Sequence, residues 1–128
     1  MGEAQSLSIK RIHPDQAAKA LVGMERLDPR GMCTAQDIQR MCRDGECFEI
    51  SGQADGVYVV TVKNGVVWVD AAKGAGNADI TAVIDQALTV QAAGLSALGM
   101  QTARPGLVRK LKKHGWRVTG WIMQKGLQ

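Results

Sequence analysis

An acidic residue followed by a glycine-rich stretch is the feature of this chain with the clearest chemical potential. Asp70 ends an apolar run, Val66-Val-Trp-Val-Asp70, and Ala72-Lys-Gly-Ala-Gly-Asn-Ala-Asp79 follows closely. A helical pattern then begins, with apolar residues at Ile80, Val83, Ile84, Ala87 and Leu88. A strand that passes through a glycine turn into a helix leaves backbone N–H groups unpaired at the helix start. The macrodipole favours an anion there, so such a turn can hold a phosphate. On the residues alone a plainer reading is equally open: Gly74 and Gly76 let the chain reverse, and Asn77 or Asp79 caps the helix. Asp70, at the strand end, can act as a base, cap the turn or face water.

Other reactive side chains form weaker patterns. Cys33, Cys42 and Cys47 are an odd number at spacings that match no zinc or redox motif, and only His13 and His114 could assist them. They read as reduced thiols, and no metal site is expected. His13 precedes Pro14 and reads as a turn residue. His114 reads as a cation favoured at a helix C-terminus. Tyr58, the one tyrosine, reads as a strand aromatic.

Charge is unevenly distributed. Residues 1–103 carry 9 Lys or Arg and 12 Asp or Glu, a balance of −3; residues 104–128 carry 7 basic residues and no acid, a balance of +7. A basic end of this kind attracts phosphates, on a cofactor or on nucleic acid. Arg104, Arg109, Lys110, Lys112, Lys113 and Arg117, near Trp116 and Trp121, would be the nucleic-acid surface. A lysine-rich helix is more often a solvated face, so a nucleic-acid partner is not the expectation.

At 128 residues, 45% of them apolar, the chain is expected to form one domain with a real core. No apolar run approaches the roughly 18 residues of a membrane span, so no membrane partner is expected. Met1-Gly-Glu-Ala-Gln-Ser6 lacks the basic start and apolar segment of an export signal, which makes the cytoplasm the expected compartment.

The elements that must position these residues follow from periodicity. Leu7–Ile12 alternates as a strand, and a helix is expected from Asp15 with Ala17, Ala18, Leu21, Val22 and Leu27 on one side, ending at Asp28-Pro29-Arg30-Gly31. Thr34 with Asp37 makes a capping box for a second helix that carries Ile38, Met41 and Cys42 inward and stops at Gly45. Cys47–Ile50 is expected as a strand. Val57–Val62 and Val66–Asp70 flank Lys63-Asn64-Gly65, a tight hairpin, because both central residues of a type I′ turn need positive φ. After the long helix, Gly94 suits a C′ position, and Leu95–Thr102 reads as a strand with Leu98 and Met100 on one face. Pro105 opens a short basic helix ended by Gly115, and Trp116–Gln124 alternates as a closing strand. A hairpin-rich first half followed by a β-α-β-α-β half implies a mixed α/β sheet with helices on both faces.

In that order of elements, with Lys73-Gly74-Ala75-Gly76-Asn77-Ala78 and Lys113-His114-Gly115-Trp116, the chain resembles the GNAT superfamily of N-acetyltransferases. The first motif resembles the family's pyrophosphate loop, Q/R-x-x-G-x-G/A, with Lys for Gln or Arg; the second stands where the family has a leucine-glycine-phenylalanine-like step. The fold the resemblance implies is α/β (α+β): a mixed, mostly antiparallel twisted sheet with helices on both faces. It also implies acetyl-CoA as cofactor and an amine, small or on a protein, as partner. The strand Val66–Ala72, including Val69, would pair with the pantetheine arm, the amides of Gly74, Ala75, Gly76, Asn77 and Ala78 would hold the pyrophosphate, and Lys73 would add a point charge. Asp70 would be the base. The family's acid tyrosine commonly lies five residues before the aromatic that follows the glycine, and counting back from Trp116 gives Leu111.

Two functions fit that fold. One is acyl-CoA-dependent N-acetyl transfer to an unknown amine. The other is a non-catalytic structural or interaction protein on a degenerate acetyltransferase-like fold, for example a bacteriophage virion or regulatory component, with a protein partner or a homo-oligomer as the assembly and the virion as the location.

Overall fold

The computed structural model describes residues 7–23, 34–52, 55–75, 80–102, 105–123 and 125–127. Five strands, β1 (Leu7–Arg11), β2 (Glu46–Gly52), β3 (Asp55–Lys63), β4 (Val66–Ala75) and β5 (Ala97–Met100), form one sheet in the order β1-β2-β3-β4-β5. The first four pair antiparallel, and β5 lies parallel to β4. The β3–β4 hairpin turns on Asn64 and Gly65 with φ of 53° and 78°, the left-handed pair that a type I′ turn requires.

Helices cover both faces, as expected. On β3, alternate side chains point opposite ways, and both sets are buried. Val57 and Val59 join Ile12, Ala17, Leu21, Ile38, Cys42 and Cys47 beneath α1 (Pro14–Ala20) and α2 (Ala35–Asp44). Tyr58 and Val60 join Ile50, Val67, Val69, Val83, Ile84 and Leu88 beneath α3 (Ile80–Gln91). Thr34 caps α2 as its sequence implies: its Oγ1 accepts from the Asp37 amide at 3.2 Å, while the Asp37 carboxylate accepts from the Thr34 amide at 2.8 Å. Gly45 ends α2 for want of space, since an added Cβ would lie 2.8 Å from the Val60 carbonyl oxygen and 2.9 Å from Val59 Cγ1.

One irregularity reorganises β4. Val60 pairs with Val69 and Val59 with Ala71, so Asp70 is an extra residue, a β-bulge. The bulge shifts the side-chain parity of the strand. Before it, Val67 and Val69 face α3; after it, Ala72 packs on the α3 side and Ala71 on the α1–α2 side. The strand then continues to Ala75, with Lys73 opposite Val57 and Gly74 opposite Gly56. The expected strand end at Asp70, with a glycine turn directly after it, is therefore displaced: β3 is long enough to keep pairing through Lys73 and Gly74.

Pairing of β4 with β5 is shorter. It runs from Val66 opposite Ala97 to Val69 opposite Met100 and stops. Leu98 and Met100 both pack on the α3 cluster, as their alternation predicts, which turns Gly99 to the other face under Trp68. Beyond Met100 the chain leaves the sheet for α4 (Pro105–Lys112), and among the described residues β4 goes on alone on that side.

The first and last elements differ from expectation. α1 begins at Pro14, with His13 Nδ1 accepting from the Asp15 amide at 3.1 Å, and ends at Ala20; Leu21 is buried, but Val22 is exposed, past the helical face. Leu27 and its predicted helix end lie outside the described residues. Residues 116–123 form no strand. Trp116 is held at the end of α4, where its amide donates to the Leu111 carbonyl at 3.1 Å, and the residues after it find no sheet neighbour in the described chain.

Candidate functional site

Where β4 and β5 part, a cleft of about 80 Å³ opens on the α3 side of the sheet. Its walls are Ala72 and Gly74 of β4, Thr81, Ile84, Asp85 and Leu88 of α3, Met100 at the end of β5, Leu107 and Leu111 of α4, and Trp116. Three causes produce it. The bulge turns Ala72 and Gly74 to this side, β5 stops at Met100, and α4 presents an apolar stripe at spacing four, Leu107 and Leu111, toward α3. Apolar side chains dominate the lining. Its one carboxylate, Asp85, is occupied by Trp116, whose indole N–H donates to Asp85 Oδ1 at 2.7 Å.

Asp70 sits at the apex of the opening, one residue past the last β4–β5 rung. Its Oδ1 accepts from the Thr61 hydroxyl at 3.4 Å, which places the carboxylate over β3 on the α1–α2 side. Burial pushes its pKa above the ordinary carboxylate value, against smaller opposing effects of the Thr61 hydroxyl and the Lys63 ammonium. The carboxyl is thus partly buried with a raised pKa, on the face of the sheet opposite the cleft, whose lining it does not join.

The strand-to-helix stretch divides. Val69 is buried and paired on both sides, with Val60 and with Met100. From Asp70 to Ala75 the β5-facing edge of β4 has no ladder partner among the described residues. Lys73 points away from the cleft that Ala72 and Gly74 line: its ammonium donates to the Val22 carbonyl oxygen, 3.1 Å away beside α1. The period-two alternation that resumes after the bulge is what turns Lys73 to that side. Gly76, Asn77 and Ala78 lie outside the described residues.

No family model and no curated protein matches the sequence. Solved structures do match. An IAA acetyltransferase from Bacillus cereus superposes with a TM-score of 0.62 at 19% identity over 90% of this chain and 79% of that one. A ribosomal-protein-alanine N-acetyltransferase from Brucella melitensis biovar Abortus gives 0.56 at 16% identity, over 94% of this chain and 97% of that one. The aminoglycoside N-acetyltransferase AAC(6')-Iy, solved in complex with CoA, gives 0.53 at 11% identity, over 100% of this chain and 99% of that one. The fold is that of the GNAT acetyltransferases.

Within this GNAT fold, the position at which the resemblance implies an acid tyrosine is Leu111, buried and lining the cleft. Tyr58 does not replace it. Its ring stacks on Phe48 at 5.4 Å, its hydroxyl donates to Gln91 Oε1, and burial pushes that hydroxyl up to about 12. Sequence reasoning missed Asp85 and Trp116 as cleft residues. Asp85 follows Thr81 by four along α3, a polar flank beside the apolar stripe, but its partner is 31 residues away and no periodicity links them.

Proposed function

We propose that the chain binds an acyl-CoA along the unpaired edge of β4 and transfers its acyl group to an amine near Asp70. One observation carries this reading: β4 continues from Asp70 to Ala75 after β5 has left it, so an extended run of backbone N–H and C=O groups borders an apolar cleft. The cofactor's pantetheine arm, with alternating amides and methylenes, has the chemistry to match such a border. Ala72, Ile84, Leu88, Met100, Leu107 and Leu111 fit its alkyl portions, and the backbone of Gly74 and Ala75 fits its polar ones. The basic side chains of α4, Arg109, Lys110 and Lys112, are exposed and available to cofactor phosphates. Acetyl-CoA, when bound, supplies an activated acyl thioester. Support for the cofactor comes from AAC(6')-Iy, which shares the fold and was solved with CoA.

For this chain's residues the roles are as follows. The Asp70 carboxylate accepts a proton from the acceptor's ammonium, helped by its raised pKa. The Thr61 hydroxyl orients that carboxylate. Leu111 has no proton to give a departing thiolate, so the acid's role is not filled at that position.

The same leucine favours a second reading, a protein that keeps the cleft without the chemistry. Calorimetric titration with acetyl-CoA, with dephospho-CoA as control, tests the binding claim, and thiol release with a panel of amines tests transfer. Saturable heat with turnover supports the first reading, and saturable heat without turnover the second. No heat at millimolar acetyl-CoA contradicts the first and leaves a structural or interaction role on the same fold.

A further inference from the structure

Alternation along the β3–β4 hairpin sorts its side chains onto the two faces of the sheet, and one face gathers an indole, a hydroxyl and a carboxyl away from the cleft. Val67 and Val69 face α3, so Trp68 lies on the α1–α2 side, where Thr61 is its partner across the ladder. Side chains opposite one another on paired strands stand about 4.5–5.5 Å apart at Cβ. The Thr61 hydroxyl in turn donates to Asp70 Oδ1. Trp68, Thr61 and Asp70 therefore form one row, and it ends where β4 and β5 part. Helices α1 and α2 pack farther from the hairpin turn, over Val57, Val59 and Ala71, and Trp68 joins neither buried cluster. The indole is half-buried, with its six-membered ring lying over Gly99, where an added Cβ would meet Cε3 and Cζ3 at 2.6 Å.

We propose that this row is the seat of the acceptor, and that the acceptor is a monoamine with an apolar or aromatic body, its ammonium at Asp70 and its body on the Trp68 indole. The inference rests on the reading of Asp70 as the group beside which the amine reacts, and it adds the chemical class of that amine. Two features select the class. An indole face attracts a cation and covers the carbons next to it, and Gly99 lets this ring lie against β5, so its position is set before any ligand arrives. Charge then excludes polyamines. Lys63, two residues beyond Thr61 on the same face, is near enough to act on the Asp70 carboxylate, and the Lys73 ammonium lies on that face as well, at the Val22 carbonyl oxygen. A polyamine with one ammonium at Asp70 would hold its others toward these two lysines, whereas an uncharged body meets no such repulsion.

Titration of the free chain with phenethylamine and with spermidine, followed by the Trp68 indole N–H and Thr61 amide resonances, tests the inference without requiring turnover. Phenethylamine is expected to shift both resonances saturably, with spermidine binding at least about tenfold more weakly. Trp68→Leu, read at the Thr61 amide, should weaken phenethylamine about tenfold. Lys63→Glu, a change at an exposed position, should bring spermidine to within about threefold of phenethylamine. No shift at Trp68, spermidine binding as tightly as phenethylamine to the wild type, or unchanged spermidine affinity in Lys63→Glu would each overturn the proposal. Thiol release from acetyl-CoA with phenethylamine reads the transfer separately: saturable binding without release would uphold the amine seat and contradict the acyl transfer.

Discussion

Gly99 sits in the last stretch of the β4–β5 ladder before the strands part, and replacing it with alanine tests how the apex of the cleft is held. A Cβ added there would lie 2.6 Å from both Cε3 and Cζ3 of Trp68 and 3.0 Å from its Cδ2. Carbon atoms prefer about 3.5–4.0 Å, so roughly 1 Å of overlap must be relieved by moving an indole ring or the strand. Overpacking of this kind costs about 1–3 kcal/mol. Alanine returns about 0.5–1 kcal/mol through lower chain entropy, so the middle of the two ranges leaves a net loss of about 1 kcal/mol. Urea unfolding followed by circular dichroism measures it as a lower midpoint at unchanged slope. The sign should invert when the ring is gone: in a Trp68→Ala background, Gly99→Ala should stabilise by about 0.5–1 kcal/mol, which isolates the clash as a coupling between the two sites. Gly99→Ala that is neutral or stabilising with Trp68 present would refute the packing described for this rung.

Three further perturbations have definite outcomes. Asp70→Asn should lower acyl transfer about 10²–10⁴-fold, the range for loss of an acid–base group. Because burial raises the Asp70 pKa above 3.8, the folded state disfavours its charge, so the asparagine variant should be the more stable at neutral pH. That advantage should shrink as pH falls through the folded pKa and vanish below the unfolded value, a trend that thermal unfolding against pH reads directly. Thr34→Ala removes the side-chain half of the α2 capping box and should cost about 1 kcal/mol, or roughly 4 °C in Tm. Cys42 and Cys47 are buried, Cys47 Sγ donates to the Cys42 carbonyl at 3.2 Å, and burial pushes Cys42 up to about 11 and raises Cys47 as well. Iodoacetamide at pH 8 should therefore leave both unmodified in the native protein and label both in urea, as peptide mass mapping would show.

What was legible in the sequence was local. Asn64-Gly65 needs positive φ and has it; Thr34 and Asp37 are three apart and cap α2; Leu98 and Met100 alternate around Gly99 and share a face. Features that depend on a distant neighbour were not legible. Gly45 and Gly99 are glycines because Val60 and Trp68 lie against them, not because their own backbone demands it. The bulge at Asp70 has no signature in Val-Val-Trp-Val-Asp-Ala-Ala, yet it moves Lys73 to the α1 side and brings Ala72 and Gly74 to the cleft. Alternation over Trp116–Gln124 reads as a strand, but a strand requires an edge to pair with, and no pattern within the segment can supply one. Asp70 itself was singled out for its place after an apolar run, whereas its setting comes from Thr61, nine residues back across the hairpin.

The central claim is that the free edge of β4 is the surface on which an acyl-CoA lies. Hydrogen exchange with and without saturating acetyl-CoA tests it most directly, because it reads the backbone groups themselves. Slower exchange at residues 70–75 and in α3, with β1 and β2 unchanged, is the predicted result. No protection at residues 70–75, or protection confined to α1 and α2, would contradict it.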